Sequence, residues 1–374
     1  MRTGNVTGIS YKGHDVTRLR GLYMQGLCKR GHSKVFEEMK IVANKEGLDL
    51  FLNQANQSFE KEFSQRVFVP SFMTIWGQDK KAFIKNKLES LILWNTKDGS
   101  PLHGFEMPYE NIKIREENYF PRGGNYYLGY NKNGERWLLI HERSIKECKK
   151  NFNDTELPSR EQLVEIFDVK KENIITLPLT VDDLDEMVRP VGFPYVLVND
   201  YKESLNNLEL MKEKFPKSDE VYYYAKKYLE EKISGESVTG MTEQILKILS
   251  DYGFKPIKIG ARYHHDINYL NALAWENNSG KISYLTNSTK DSYPELDFLE
   301  SLFDKLLREK MPEISDVYYV SGGPRTTAEK DSESIANLMS MGFNNRNVIM
   351  DTLATYQGGI HCMTAEIPEE LFEK

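Results

Sequence analysis

Short stretches rich in β-branched and aromatic residues alternate along this chain with longer stretches that repeat apolar residues at helical spacing. The first pattern predicts strands and the second predicts amphipathic helices. Many of the predicted units follow the order strand, strand, helix, strand. Because the alternation runs through most of the chain, it predicts a mixed α/β fold.

The predicted elements divide the chain as follows. Helices are predicted at 33–66, 159–167, 202–252, 296–310 and 332–341, and strands at 67–76, 88–94, 125–130, 136–141, 174–179, 195–198, 254–259, 269–275, 281–286 and 316–320. The clearest local unit is the hairpin 125–141, because Asn133-Gly134 is a favoured turn between two strands. The region 201–240 interrupts the alternation, and its lysine, glutamate and tyrosine content predicts a helical hairpin on the surface.

Composition limits the number and kind of domains. The chain has 374 residues, of which 40% are hydrophobic and 11% aromatic, so it has enough apolar material for a sizeable core. It has no proline- or serine-rich linker and no internal repeat. We therefore predict a mainly helical N-terminal extension, 1–66, and one main domain, 67–374, with a helical insertion near 201–240.

Charge and cysteine content exclude several classes of partner. The net charge of −7 argues against a nucleic-acid backbone or an anionic membrane surface as the main partner, and is compatible with a cationic ligand. No apolar run reaches the ~18 residues that a membrane helix needs. Cys28, Cys148 and Cys362 are odd in number and far apart, which predicts neither a disulfide framework nor a metal site. A reducing, cytoplasmic location is the resulting expectation.

One string near the end of the chain has the composition of a reactive site. It reads Gly358-Gly359-Ile360-His361-Cys362-Met363-Thr364. Adjacent glycines let a backbone approach a ligand closely, and a cationic neighbour favours the reactive thiolate of a cysteine. A free cysteine that is simply a small buried hydrophobe is the open alternative.

This string, with Glu366 and Pro368 after it, resembles the C-terminal nucleophile motif of the guanidino-group-modifying enzymes. It is most similar to the agmatine deiminase and bacterial peptidyl-arginine deiminase branch. The resemblance implies the pentein fold, a pseudo-fivefold α/β propeller of strand-strand-helix-strand units around a central site. We expect the likeness to run from residue 67 to the end, with 1–66 and the helices 201–240 outside it.

Two further strings resemble substrate-binding motifs of this family. Trp76-Gly77-Gln78-Asp79 is similar to a Trp-x-x-Asp motif, which implies that Asp79 binds the guanidinium; Asp98, in a second tryptophan-containing string, is the open alternative. Gly123-Gly124-Asn125 is similar to a strand motif that opens with two glycines, although Arg122 stands where several members have glutamate. The resemblance thus implies that Gly124, Asn125 and Gly359 line the substrate site.

The third motif departs from the family. Asp183-Leu184-Asp185 occupies the place of a His-x-Asp motif, in which the histidine moves protons and the aspartate binds the guanidinium. Asp185 is present, but Asp183 replaces the histidine, and it takes over the proton role only if it holds a proton near neutral pH. A second candidate is His264, one unit later in the chain, whose alternative is a surface or capping histidine before a strand.

These residue types suit chemistry on a guanidinium. Paired carboxylates grip its N–H fork, and a cysteine attacks its central carbon to form a covalent thiouronium intermediate. The resemblance implies a deiminase-type hydrolase acting on a small guanidino compound or a peptide arginine, with no metal or organic cofactor. An amidinotransferase and a non-catalytic relative that binds a ligand or a protein stay open, as do the substrate and the oligomeric state.

Overall fold

The computed structural model describes residues 18–25, 33–53, 90–94, 113–117, 126–142, 160–167, 169–178, 183–264, 267–288, 294–320 and 360–369. Its strands are β1 (Leu19–Gln25), β2 (Asp49–Asn53), β3 (Ser90–Trp94), β4 (Lys113–Glu117), β5 (Tyr126–Tyr130), β6 (Arg136–His141), β7 (Ile174–Leu177), β8 (Val188–Pro190), β9 (Tyr195–Asn199), β10 (Lys255–Ile259), β11 (Arg262–His264), β12 (Ile267–Asn268), β13 (Leu273–Glu276), β14 (Ile282–Asn287), β15 (Ile314–Val320) and β16 (Thr364–Pro368). Its helices are α1 (Ser33–Glu46), α2 (Arg160–Phe167), α3 (Leu184–Met187), α4 (Tyr201–Lys214), α5 (Asp219–Thr239), α6 (Met241–Asp251), α7 (Pro294–Lys310) and α8 (Ile360–Met363).

One arrangement recurs in four three-stranded sheets, which have the strand orders β16-β1-β2, β5-β6-β7, β8-β9-β10 and β13-β14-β15. In each sheet the first pair is antiparallel and the second is parallel. The parallel strands are joined through helices, as parallel neighbours require a crossover connection. The predicted mixed α/β class is therefore confirmed, and three of these units have the predicted order along the chain, whereas in the fourth the antiparallel strand β16 comes from 364–368. Their arrangement as a fivefold propeller stays a prediction.

The beginning and the end of the described chain meet in one sheet. β1 pairs with β16, with Leu22 opposite Glu366, and it pairs on its other side with β2. The fully buried Leu22 and Ile360 share an apolar cluster with Trp275 and Leu285. The N-terminal strand β1 thus shares a sheet with β16, the strand that directly follows α8. The domain boundary at residue 66 stays a prediction.

The predicted helix 33–66 is confirmed as far as Glu46 and is wrong at 47–53, while 54–66 lie outside the described residues. Gly47 has a φ of 70°, and the Leu48 N–H donates to the carbonyl of Ala43 at 2.8 Å, which is a helix end capped by a left-handed glycine. β2 then starts at Asp49. Apolar residues continue past the glycine, and for this reason their spacing hides the change from helix to strand.

We refer to α4 and α5 as the helical pair. The prediction that the region 201–240 forms two helices is confirmed, but the prediction of a surface hairpin is wrong for their inner face, where Tyr201 and Tyr228 join the main core. On the outer face, Tyr223 is 61% exposed. α4 also packs closely on Gly260, where an added Cβ would lie 2.7 Å from the backbone nitrogen of Ser204.

Two predicted elements, the strand 67–76 and the helix 332–341, lie outside the described residues. Within the part of the chain that the structure describes, no helix combines the length and apolar character that a membrane span requires.

Candidate active site

The structure describes three of the predicted site side chains, those of Asp183, Asp185 and His264. The predicted substrate-binding residues lie outside the described residues: Asp79, Gly124, Asn125 and Gly359. The backbone of Cys362 lies in α8, although its side chain is not among those described. Among the described side chains, histidine, cysteine, aspartate and glutamate do not form a group of three able to hold a metal ion.

The two aspartates share one short helical turn. Asp183 is the N-cap residue of α3 and has an extended backbone. Its carbonyl accepts the backbone N–H of Glu186 at 3.1 Å. Asp183 is half-buried, whereas Asp185 is 1% exposed. A buried carboxylate requires partners, because the loss of hydration is otherwise costly. The neighbours of Asp185 therefore decide what it can do.

Asp185 makes two hydrogen bonds through one oxygen. Its Oδ2 lies 2.9 Å from the Asn271 Nδ2 and 2.9 Å from the Nδ1 of His361. The His361 ring is fully buried, and because its partner is a carboxylate, Nδ1 is the nitrogen that carries the donated proton. Asp185 is thus joined to the residue that directly precedes Cys362.

Two asparagines bind the first turn of α8. The Asn271 Oδ1 accepts the backbone N–H of His361 at 2.9 Å, and the Asn287 Oδ1 accepts the backbone N–H of Ile360 at 2.9 Å. These are N–H groups that a helix leaves without an internal partner at its start. At the other end of α8, the Thr364 hydroxyl donates to the Ile360 carbonyl at 2.7 Å.

We refer to Asp185, Asn271, Asn287, Ile360 and His361 as the asparagine junction. Asn287 also donates to the carbonyl of Asn268 at 2.9 Å, so that each amide uses both of its ends. Because each amide donates at one end and accepts at the other, its orientation is defined, and its partners are held in place. The backbone of Cys362 is consequently held through short directional contacts on α8.

A buried arginine lies beside the junction. The Arg189 guanidinium is fully buried, with Nη2 3.6 Å from the Oε1 of Glu366 and its central carbon 5.3 Å from the Tyr127 ring centroid. Tyr127 in turn contacts the His361 ring at 5.5 Å between centroids and donates to the Val188 carbonyl at 2.9 Å. Arg189 thus balances carboxylate charge at the base of β16.

His264 lies in a different environment from Asp185. It is buried on β11, and its ring meets that of Tyr228 edge-to-face, with centroids 5.3 Å apart. Tyr228 belongs to α5. This contact connects β11 to the helical pair, and the burial of His264 is contrary to the surface position that was its alternative; its part in the site stays a prediction.

Sequence reasoning missed the junction itself. Asn271 and Asn287 carried no predicted role, and His361 was considered only as a neighbour of the thiol. The available signal was an asparagine in the strand region 269–275, inside an otherwise apolar run. A polar residue in such a run is buried and needs partners, but the pattern does not say which ones.

No protein-family model matches the chain, and no curated protein sequence does. Solved structures do match. A protein described as a candidate agmatine deiminase matches with a TM-score of 0.50 and 12% identity, over 96% of this chain and 96% of that one. The agmatine deiminase of Enterococcus faecalis matches with a TM-score of 0.49 and 12% identity, over 95% and 94% of the two chains.

A third match is more distant. It is the dimethylarginine dimethylaminohydrolase of Pseudomonas aeruginosa, with a TM-score of 0.40 and 10% identity over 93% of this chain and 99% of that one. At such identities a match concerns the fold and not the function. The predicted likeness to this group of proteins is confirmed at the level of the fold. Since the first match covers 96% of the chain, it also extends into the first 66 residues, which were predicted to lie outside.

Proposed function

We propose that this chain hydrolyses the guanidino group of arginine or a related compound, with Cys362 as the nucleophile. The observation that carries the proposal is the 2.9 Å contact between His361 and Asp185, which are 176 residues apart in sequence. It brings together the two described strings that resemble the motifs of guanidino-group-modifying enzymes.

Charge in this segment suits a cationic substrate. Four carboxylates occur between positions 182 and 186, at Asp182, Asp183, Asp185 and Glu186. A guanidinium is planar and permanently charged, and carboxylates bind its N–H groups in pairs. In this proposal Asp79, Gly124, Asn125 and Gly359 complete the substrate site with Asp185, whose Oδ2 also holds the junction.

The reaction needs water as its only co-reactant. The Cys362 thiolate attacks the guanidinium carbon and forms a C–S bond; the C–N bond then breaks, and the amine departs with a proton from a general acid. Water attacks the resulting thiouronium carbon and gives a proton back to the same group. The C–S bond breaks, and a ureido product and the free thiolate remain.

We propose Asp183 in preference to His264 for the proton transfer, a role that requires Asp183 to hold a proton near neutral pH. Asp183 shares a turn with Asp185 and is only half-buried, so that water can reach it. The ring of His264 packs instead on Tyr228. If this assignment holds, Asp183→Ala loses turnover but still reacts with a haloacetamidine, because a halide leaves without needing a proton.

The test compares two reagents on the intact protein. Chloroacetamidine carries an amidinium that resembles the substrate, and iodoacetamide is its neutral counterpart. We expect mass spectrometry to show that chloroacetamidine modifies Cys362 preferentially, that arginine or agmatine slows this reaction, and that Cys362→Ala abolishes it. Cys28 and Cys148 are the internal controls, since they lie outside the motif.

Product analysis completes the experiment. A ureido product whose yield is unaffected by added amines supports hydrolysis, whereas a transferred amidino group would replace hydrolysis by amidinotransfer. A Cys362 that reacts with chloroacetamidine no faster than Cys28 and Cys148 do would exclude the proposed enzyme.

A further inference from the structure

A buried arginine connects the helical pair to the turn that carries Asp185. Arg262 is fully buried on β11, and its Nη2 lies 2.9 Å from the Oε2 of Glu186. The catalytic proposal gives neither residue a part in the reaction, and Glu186 enters it only as one of the carboxylates of its segment. Glu186 is nevertheless the immediate neighbour of Asp185 on α3.

The helical pair surrounds this ion pair with aromatic side chains. The Nη1 of Arg262 donates to the Tyr201 hydroxyl of α4 at 3.5 Å, and its guanidinium carbon lies 5.4 Å from the Tyr228 ring centroid of α5. The Tyr201 hydroxyl also contacts the sulfur of Met187, the last residue of α3, at 2.8 Å. The helical pair therefore contacts α3 directly and through Arg262.

The backbone of Arg262 is fixed as well. Its N–H donates to the Asn199 Oδ1 at 2.9 Å, at the end of β9. Burial of a charge is costly unless its partners are well placed, and here they come from a strand end, a turn and two helices. An arginine held at both ends has little freedom to move, and the carboxylate that it binds is held equally firmly.

We propose that Arg262 is a positioning residue of the active site. Successive residues of a helical turn point about 100° apart, so a grip on Glu186 sets the direction in which Asp185 points. Arg262 holds one side of α3 through Glu186, while the asparagine junction holds the other side through Asp185. The helical pair buries Arg262 and so is part of the support of the site. This inference rests on the proposed function, because Asp185 matters only if it binds a guanidinium.

Position and charge have opposite effects here, which makes the inference testable. Removal of a positive charge near the turn strengthens its attraction for a cationic reagent. Loss of position weakens the reaction, since misplacement by ~1 Å costs up to about a hundredfold in rate. If Arg262 acts by position, Arg262→Met reacts more slowly with an amidinium reagent; if it acts only by charge, Arg262→Met reacts faster.

The experiment measures the second-order rate constants for modification of Cys362 by chloroacetamidine and by iodoacetamide. The ratio is the constant for chloroacetamidine divided by the constant for iodoacetamide. Three variants are compared with the wild type: Arg262→Met, Arg262→Lys and the double variant Arg262→Met with Glu186→Gln. The double variant leaves no unpaired charge, and removal of both partners of a buried pair is better tolerated than removal of one. Near-ultraviolet circular dichroism verifies the fold of each variant.

Arg136→Met is the matched control. Arg136 is also buried and also stacks on a tyrosine, with its guanidinium carbon 5.4 Å from the Tyr130 ring centroid and its Nε donating to the Tyr130 hydroxyl at 3.0 Å. It lies on β6 and does not reach α3 through these contacts. Its replacement therefore perturbs a buried arginine and leaves the turn in place.

We expect the ratio to fall about tenfold or more in Arg262→Met and in the double variant, and to recover in part in Arg262→Lys. We expect no change in Arg136→Met. A folded double variant with the wild-type ratio, or a higher one, overturns this inference and leaves the proposed function intact. A wild-type protein that does not prefer chloroacetamidine overturns the proposed function, and this inference with it.

Discussion

The asparagine junction and the helical pair hold neighbouring residues of the same short turn, and they do so by different means. Within the junction, Asp185 is bound by the neutral amide of Asn271 and by the His361 ring, each at 2.9 Å. The helical pair reaches Glu186 and Met187 through a buried arginine, two tyrosines and a broad apolar face. The junction depends on direction, whereas the helical pair depends on buried area and charge balance.

This difference predicts which substitutions each region tolerates. Hydrogen bonds between short side chains are lost with small displacements, and a buried partner left unsatisfied costs the full desolvation penalty. Apolar contact is less directional and is lost in proportion to the atoms removed. Substitutions of buried polar residues should therefore lower the free energy of unfolding by different amounts in the two regions, whereas truncation of buried apolar residues should lower it by similar amounts.

The largest expected effect comes from Asn271→Asp. It places a second carboxylate within 2.9 Å of Asp185, where a donor stood before, and leaves two like charges in a buried site. We expect the free energy of unfolding in urea to fall by about 4 kcal/mol at neutral pH. We expect the loss to shrink as the pH falls towards about 4, because one of the two carboxyls then gains a proton that it can donate.

Asn207→Asp is the matched change in the helical pair. Asn207 is equally buried, but its Nδ2 donates to the Tyr263 hydroxyl at 3.0 Å and not to a charged group. The Tyr263 hydroxyl can reverse and donate to the new carboxylate, so a smaller loss of about 1–3 kcal/mol is expected. Equal losses in the free energy of unfolding at Asn271 and Asn207 would contradict the proposed difference between the two regions.

Leucine truncation should give equal effects in the two regions. Leu22 packs near Ile360 and the junction, and Leu208 packs in the inner face of α4; both are fully buried. We expect Leu22→Ala and Leu208→Ala each to lower the free energy of unfolding by about 3 kcal/mol, the usual cost of a buried leucine. A difference much greater than ~2 kcal/mol would show that apolar packing also differs between the regions.

The smallest effect is expected at Glu236 near the end of α5. Burial raises the pKa of Glu236 above its ordinary value of 4.5, while a hydrogen bond from the Thr242 hydroxyl opposes the shift. The folded state thus holds this proton more tightly than the unfolded chain does. The stabilisation it provides is complete below about pH 4.5 and is lost as the pH rises through the raised pKa.

Glu236→Gln removes this pH dependence and retains an acceptor for Thr242. At pH 7 we expect the variant to be more stable than the wild type by less than ~1 kcal/mol, since the side chain is half-exposed and solvent screens its charge. Urea unfolding at pH 4 and pH 7 measures the difference. Glu231→Gln, at an exposed position of the same helix, is the control, and an identical pH profile in the two variants would contradict the prediction.

Local patterns predicted the local parts of the structure well. The hairpin formed by β5 and β6 has the predicted Asn133-Gly134 turn, with Gly134 at a φ of 73° and the Asn131 side chain accepting two turn N–H groups. The register follows from residues that are close in sequence. The end of α1 at Gly47 was missed because a single glycine competes there with a long apolar pattern.

The site could be predicted only in its residue types. The sequence by itself determined the strand-helix order and the string around Cys362, because both are encoded by neighbours in the chain. The tertiary structure alone decided that Asp185, Asn271 and His361 meet, since these residues are 86 to 176 positions apart and lie next to strands of different sheets. It likewise decided that the helical pair belongs to the core: whether an amphipathic face is covered depends on what packs against it, and Arg262 and Gly260 come from a strand region beyond the helices.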